Sequence, residues 1–171
     1  MFLDRDGVLN RAVMRNGRPY PPKTVEDVEI MPGAPRALRR MKDAGFVLIV
    51  VTNQPDVARG KTTLNEVEAI NRSLAAAMPI DSFEMCVHDD WDNCECRKPK
   101  PGMLTRSGAR HGIDLKVSAM IGDRWRDIDA GRAAGCRTIL LGDGYGEKPM
   151  LRPDTSVQTI EEAAEWILAN T

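Results

Sequence analysis

The run Phe46-Val47-Leu48-Ile49-Val50-Val51 is apolar at every position, odd and even alike. A strand with one wet face alternates, so a run of this kind has to be covered on both faces, as strands are in a parallel sheet flanked by helices. The rest of the chain fits that demand. Short strand-like segments recur at Phe2-Leu3, Phe83 to Val87, Val117 to Ile121 and Cys136 to Leu141, with helical patterns between them. Pro32-Gly33-Ala34-Pro35 opens a helix with Ala34, Leu38 and Met41 on one face and Gly45 to stop it. Thr63 and Glu66 form a capping box ahead of the stripe Val67, Ile70, Leu74 and Ala77. Pro101 to His111 reads as a helix ended by Gly112, and Arg124 to Ala134 as one closed by Gly135. Thr159 with Glu162 caps a last helix bearing Ile160, Ala163, Ile167 and Leu168, and Trp166 is expected to pack it onto the sheet. Alternating strands and helices predict an α/β fold: a doubly wound parallel sheet sandwiched by helices, with its cleft at the carboxyl ends of the strands. Arg11 to Thr24, with Gly17 and Pro19-Tyr20-Pro21-Pro22, reads as an ordered surface loop able to cover that cleft.

At 171 residues the chain suits one domain spanning 1–171, with no large cap. A net charge of -1 gives no basic excess for nucleic acid. No apolar stretch reaches the roughly 20 residues that cross a bilayer, and no signal-type segment opens the chain, so a cytoplasmic monomer is expected. Three of the 4 cysteines crowd between Cys86 and Cys96, which points to metal rather than disulfides; Cys136 reads as core and His111 as an exposed residue near a helix end.

In a doubly wound sheet the residues just after each strand gather along one edge. Asp4 and Asp6 follow the first strand, one residue apart, and like charges so close need a cation to offset them. Magnesium, which takes carboxylate oxygens and bridges them to phosphate, is the natural one. Thr52-Asn53-Gln54 follows the apolar run, Arg97-Lys98-Pro99-Lys100-Pro101-Gly102 follows the cysteines, and Gly122-Asp123-Arg124-Trp125-Arg126-Asp127 brings a second pair of acids. Cys86, His88, Cys94 and Cys96 make the ligand set of a closed structural zinc site, placed to fix the loop that carries Arg97 and Lys98.

The order Asp-x-Asp-Gly, strand-end Thr, Lys-Pro, Gly-Asp-x3-Asp resembles the haloacid dehalogenase (HAD) superfamily of phosphotransferases. Asp4 to Asn10, Thr52-Asn53-Gln54, the Cys/His cluster and Cys96-Arg97-Lys98-Pro99 resemble its small zinc-bearing branch of heptose bisphosphate and histidinol phosphatases. The resemblance implies phosphomonoester hydrolysis through an aspartyl-phosphate. Asp4 would be the nucleophile and Asp6 the general acid and base. The Asp4 carboxylate, the Asp6 backbone carbonyl and Asp123 would hold magnesium, Thr52, Asn53 and Lys98 would bind phosphoryl oxygens, and Asp127 would anchor Lys98 or magnesium-bound water. Val57-Ala58-Arg59-Gly60 and Lys98 to Met103 are similar to the heptose enzymes, whereas the five-residue gap between His88 and Cys94 is similar to histidinol phosphatases and Pro55-Asp56 departs from both. The expected substrate is therefore heptose 1,7-bisphosphate losing its 7-phosphate, with Arg59, Arg97 and Lys61 on the distal phosphate; histidinol phosphate is the alternative. A zinc-stabilised binding module without catalysis is the competing class.

Overall fold

Two residues form the central strand of the sheet, and their neighbours hold them there. In the computed structural model, which describes residues 1–147 and 150–170, Phe2 pairs with Ile49 on one side and Met120 on the other, and Leu3 with Val50 and Ile121. The elements in chain order are β1 (Phe2–Leu3), β2 (Val13–Arg15), β3 (Arg18–Tyr20), α1 (Ala34–Asp43), β4 (Ile49–Asn53), α2 (Leu64–Ala77) and β5 (Ser82–Cys86). Then come α3 (Gly102–His111), β6 (Ala119–Gly122), α4 (Trp125–Ala134), β7 (Arg137–Leu141), β8 (Thr155–Val157) and α5 (Ile160–Ala169). The main sheet has 6 strands in the order β5-β4-β1-β6-β7-β8, and every pairing in it is parallel. The chain builds outward from β1 through β4 to β5, then crosses to β6 on the other side of β1. That reversal opens a crevice at the carboxyl end of β1, directly above Asp4.

Phe2 and Leu3 point to opposite faces, as neighbours in a strand must. Leu3 joins Val50, Ile121 and Ile139 under α1, α2 and α5, through Leu38, Leu74 and Ile167 among others. Phe2 joins Ile49, Val51 and Met120 under α3 and α4, with Met103, Ala130 and Cys136. Both layers are apolar, which accounts for the part of the run that lies in β4, residues 49–51. Trp166 packs half-buried against the first layer, and His111 is exposed in the last turn of α3.

The structure shifts several expected boundaries. Phe46 to Leu48 precede β4, with Val47 exposed, and the strand instead runs on through Thr52 and Asn53. Ala77 is exposed and the next residue, Met78, fills its place; in α5 Ala164 is buried where Leu168 is only half-buried. Val117 belongs to a short 3-10 turn and is exposed, so β6 starts at Ala119. The 11–24 stretch is a hairpin: β2 and β3 pair antiparallel around Asn16-Gly17, whose positive φ values of 50° and 74° make a type I′ turn. The edge strand β8 was not expected, because Thr155-Ser156-Val157 carries no apolar run and is held by β7 alone. Among the described residues no helix is long and apolar enough to cross a membrane.

Candidate active site

After β1 the chain turns back on itself, with Arg5 O accepting from Leu9 N at 2.8 Å and Gly7 N donating to Asn10 O at 2.7 Å. Gly7 has φ 96°, and a Cβ there would lie 1.7 Å from Asp123 Oδ2. Only glycine permits both the turn and the approach of Asp123. Asp4, whose N–H donates to Ile121 O at 2.9 Å, is thereby delivered to the crevice. Facing it is Lys98, buried, with Nζ donating to Asp4 Oδ1 (2.8 Å), Val51 O (2.7 Å) and Asp127 Oδ1 (2.5 Å). Asn53 fixes the Lys98 backbone from both sides, donating to its carbonyl at 3.0 Å and accepting from its N–H at 3.0 Å. Asn53 thus braces Lys98, while lining both pockets with a second Nδ2 hydrogen still to give.

Asp6 lies beside this group with different partners. Its carboxylate accepts from Arg5 Nε (3.1 Å) and Nη2 (3.0 Å), from Asn10 Nδ2 (3.0 Å) and from Gln54 Nε2 (2.8 Å). Gln54 also donates to Thr52 Oγ1 at 2.9 Å, which leaves the buried Thr52 hydroxyl its own proton to give. Arg5 was not singled out by the sequence reading, yet it is fully buried, with Nη1 donating to Asn71 Oδ1 on α2 at 3.0 Å. Strand parity was the available signal: two residues after Leu3, Arg5 points into the same covered layer. A buried guanidinium is tolerated only when paired, and Asp6 and Asn71 pair it.

On the other side of Asp4, Asp123 Oδ2 accepts from the Tyr145 hydroxyl at 2.8 Å, while Asp123 Oδ1 is buried with no partner among the described residues. Asp127 Oδ2 accepts from Arg124 N at 3.1 Å, capping α4, and Oδ1 accepts from Lys98 Nζ. Asp4, Asp123 and Asp127 each place an oxygen within 4.8 Å of the others. The Asp6 carboxylate is not part of that group. Burial pushes the Asp4 carboxyl up to about 7; Lys98 opposes the rise, and Asp127 and Asp6 add to it. Burial, then the charges of Asp4 and Asp127, push Asp123 well above the ordinary carboxylate range. For Lys98 burial acts to lower, but Asp127 and Asp4 outweigh it and hold the ammonium above its ordinary value. One ammonium among three buried carboxylates leaves excess negative charge, and one Asp123 oxygen has no partner among the described residues. That all-oxygen donor set fits a hard divalent cation such as magnesium. Tyr145 was missed as well, though its sequence context, an aromatic between Gly144 and Gly146 after a strand, was visible.

Two connected pockets open from here. The inner, about 90 Å³, is lined by Asp4, Asp6, Thr52, Lys98 and Asp127, with Pro19-Tyr20-Pro21 of the hairpin at its mouth. The outer, about 680 Å³, is bordered by Arg59, Arg97, Arg124 and Arg126. A phosphoryl group suits the first, and the body of a larger ester the second. Lys61 is exposed and lines neither pocket, so it is not brought to the cleft. Arg59 donates from Nε and Nη2 to Asp89 and from Nη1 to Asp56 at 3.2 Å.

Cys86 at the end of β5, with Cys94 and Cys96 on the following loop, brings three sulfurs together: Sγ to Sγ distances are 3.6 Å (86 to 94), 3.1 Å (86 to 96) and 3.3 Å (94 to 96). His88 Nδ1 lies 3.7 Å from Cys86 Sγ and 3.3 Å from Cys96 Sγ. Ligands around a tetrahedral zinc stand about 3.3–3.8 Å apart, as bond lengths of about 2.0–2.3 Å require. The four donors fit such an ion with no place left for a fifth ligand.

The HAD-hydrolase-like family profile matches residues 95–163. The D-glycero-D-manno-heptose-1,7-bisphosphate 7-phosphatase of Thermosynechococcus vestitus is 33% identical, over 98% of this chain and 94% of that one. The D-glycero-beta-D-manno-heptose-1,7-bisphosphate 7-phosphatase of Escherichia coli is 35% identical, over 98% and 87%. Among solved structures, the D,D-heptose 1,7-bisphosphate phosphatase of B. bronchiseptica, complexed with magnesium and phosphate, superposes with a TM-score of 0.87 at 30% identity, covering 100% of this chain and 98% of that one.

Proposed function

Because this chain belongs to the haloacid dehalogenase superfamily, we propose that it is a phosphomonoester hydrolase removing the 7-phosphate of D-glycero-D-manno-heptose 1,7-bisphosphate. The observation that carries the reading is the meeting of Asp4, Lys98, Asp127 and Asp123 around an inner pocket of phosphoryl size, in a chain similar over nearly its whole length to enzymes named for that reaction. The reading takes residues 1–171 as one catalytic domain, acting as a cytoplasmic monomer.

Asp4 attacks phosphorus, the P–O bond to the sugar breaks, and Asp6 gives its proton to the departing alkoxide. Asp6 then takes a proton from the water that attacks the phosphorus of the aspartyl-phosphate, and inorganic phosphate leaves with Asp4 restored. The Lys98 ammonium and the Thr52 hydroxyl bind non-bridging oxygens, while Asp127 and Asn53 keep Lys98 in place. Arg5, Asn10 and Gln54 aim Asp6 and stabilise its ionised form between proton transfers. Magnesium held by the Asp4 and Asp123 carboxylates and the Asp6 carbonyl would neutralise charge on the phosphoryl oxygens. Zinc in the Cys/His cluster would have a structural role, holding the loop whose next residues are Arg97 and Lys98.

The short gap between His88 and Cys94 favours histidinol phosphate, but a loop length weighs less than similarity along the chain. Magnesium-dependent phosphate release should be at least about tenfold faster, as kcat/KM, from the heptose bisphosphate than from histidinol phosphate. A preference for histidinol phosphate overturns the substrate. No magnesium-dependent release from either ester, nor from phenyl phosphate, overturns catalysis and favours the binding module.

A further inference from the structure

The buried face of α2 carries Val67, Ile70 and Leu74 and one polar residue, Asn71, which is 5% exposed. An asparagine at that place weakens the helix and buries an amide, so the amide has to find partners. It finds them on two other parts of the sheet. Nδ2 donates to Met85 Sδ on β5 at 2.9 Å, and Oδ1 accepts from Nη1 of Arg5, beyond the end of β1, at 3.0 Å. Held at both ends, the amide keeps its oxygen on Arg5.

The other two nitrogens of that guanidinium form a fork on Asp6: Nε donates to Oδ1 at 3.1 Å and Nη2 to Oδ2 at 3.0 Å. Asn10 and Gln54 each reach a single Asp6 oxygen, Oδ1 and Oδ2 respectively. A contact to one oxygen lets a carboxylate turn about its Cβ–Cγ bond, whereas a fork on both oxygens sets its plane. The guanidinium is flat and rigid, so the plane of the fork follows from where its third nitrogen is held. Asn71 holds that nitrogen. Neither Asn71 nor Arg5 lines the inner or the outer pocket, while Asp6 lines the inner one, so both residues act on the crevice from behind Asp6.

We infer that Asn71 is a positioning residue for proton transfer: through Arg5 it sets the plane of the Asp6 carboxylate, and with it the aim of the proton at the departing oxygen. The inference rests on the phosphatase reading above, and not on which ester is the natural substrate. As Asp4 bonds to phosphorus, the P–O bond to the leaving group breaks, and the departing oxygen keeps the electron pair and takes the Asp6 proton. A leaving group whose anion is stable departs without that proton, and a more basic one needs it. Loss of aim therefore penalises basic leaving groups selectively. A loss of folded protein or of phosphate binding penalises all leaving groups alike.

The readout is the ratio of kcat/KM for phenyl phosphate to kcat/KM for 4-nitrophenyl phosphate, measured with magnesium on the intact protein. The two esters share a phosphoryl group and a similar body, and kcat/KM ends at departure of the phenol, before Asp6 acts as a base. Both are read on one preparation, so the fraction of folded enzyme cancels even in a poorly folded variant. Asn71→Ala should lower the ratio at least about fivefold. Arg5→Lys, which keeps the charge but cannot fork, should lower it at least as far. Adding Asn71→Ala to Arg5→Lys should then change it by less than about twofold, because the two residues act in series. Asn71→Asp, which keeps an acceptor for Arg5, should hold the ratio within about twofold of wild type. A smaller fall in Asn71→Ala or in Arg5→Lys, a larger further change in the double variant, or a ratio in Asn71→Asp outside that range overturns the inference. If the wild-type protein hydrolyses neither ester, the phosphatase reading falls first and takes this inference with it.

Discussion

Cys86, His88, Cys94 and Cys96 stand around a point with neighbouring donor atoms 3.1–3.7 Å apart and no cation among them, whereas Asp4, Asp123 and Asp127, each with an oxygen within 4.8 Å of the others, share their space with the Lys98 ammonium. The first set is closed: four donors, all facing inward, and no room for substrate. The second is open and over-charged, with one Asp123 oxygen that no described residue satisfies. Both lie at the carboxyl edge of the same sheet, one on the loop after β5 and the other on those after β1 and β6. The difference teaches that a chain can place a site for shape beside a site for chemistry. The closed one ends two residues before Lys98, whose ammonium is paired with Asp4 and Asp127 of the open one.

If the open site does the chemistry, Asp4→Asn should lower turnover of phosphate esters by about 10³-fold or more, with zinc content unchanged. Wild-type turnover in that variant would erase the distinction. If the closed site only holds shape, Cys96→Ser should act on stability first. We expect loss of bound metal and about 3–5 kcal/mol of stability, or about 10 °C in Tm. A variant that loses metal but keeps both Tm and activity would show the loop to be indifferent to it. Tyr145→Phe removes the hydroxyl that orients Asp123, and should weaken the magnesium dependence of activity about tenfold while leaving Tm within a few degrees.

The smallest effect is a pH dependence of stability. The Asp4 carboxyl lies at about 7 in the fold against an ordinary 3.8, so its ionisation is a cost of the folded state that is absent below about pH 4 and full above about pH 7. Without magnesium, wild type should therefore lose several degrees of Tm relative to Asp4→Asn as pH rises from about 5 to 8. Added magnesium should flatten that difference. A difference that grows in the opposite direction would mean that the open site is not over-charged.

Much of this was legible in the sequence because it was written in local patterns. Covered strands declare themselves as apolar on both parities, caps as Thr63 with Glu66, and soft-metal ligands as cysteines too close together to be chance. What escaped was non-local. Arg5 is buried because Asn71, 66 residues away, supplies a partner, and Tyr145 matters because Gly7 clears space for Asp123. Asn53 lines the pockets as expected of a residue after β4, but that its amide also holds the Lys98 backbone, 45 residues along the chain, had no local signal. The hairpin at 13–20 was hidden by its prolines, although Asn16-Gly17 is a turn signal in its own right.

The most direct test is to quench a single turnover of the bisphosphate in acid and locate phosphate on the chain by peptide fragmentation after borohydride trapping of the acyl-phosphate. The account predicts modification at Asp4 alone, absent in Asp4→Asn. Modification at Asp6 or Asp123 instead, or full turnover with no labelled carboxylate at any quench time, would contradict it.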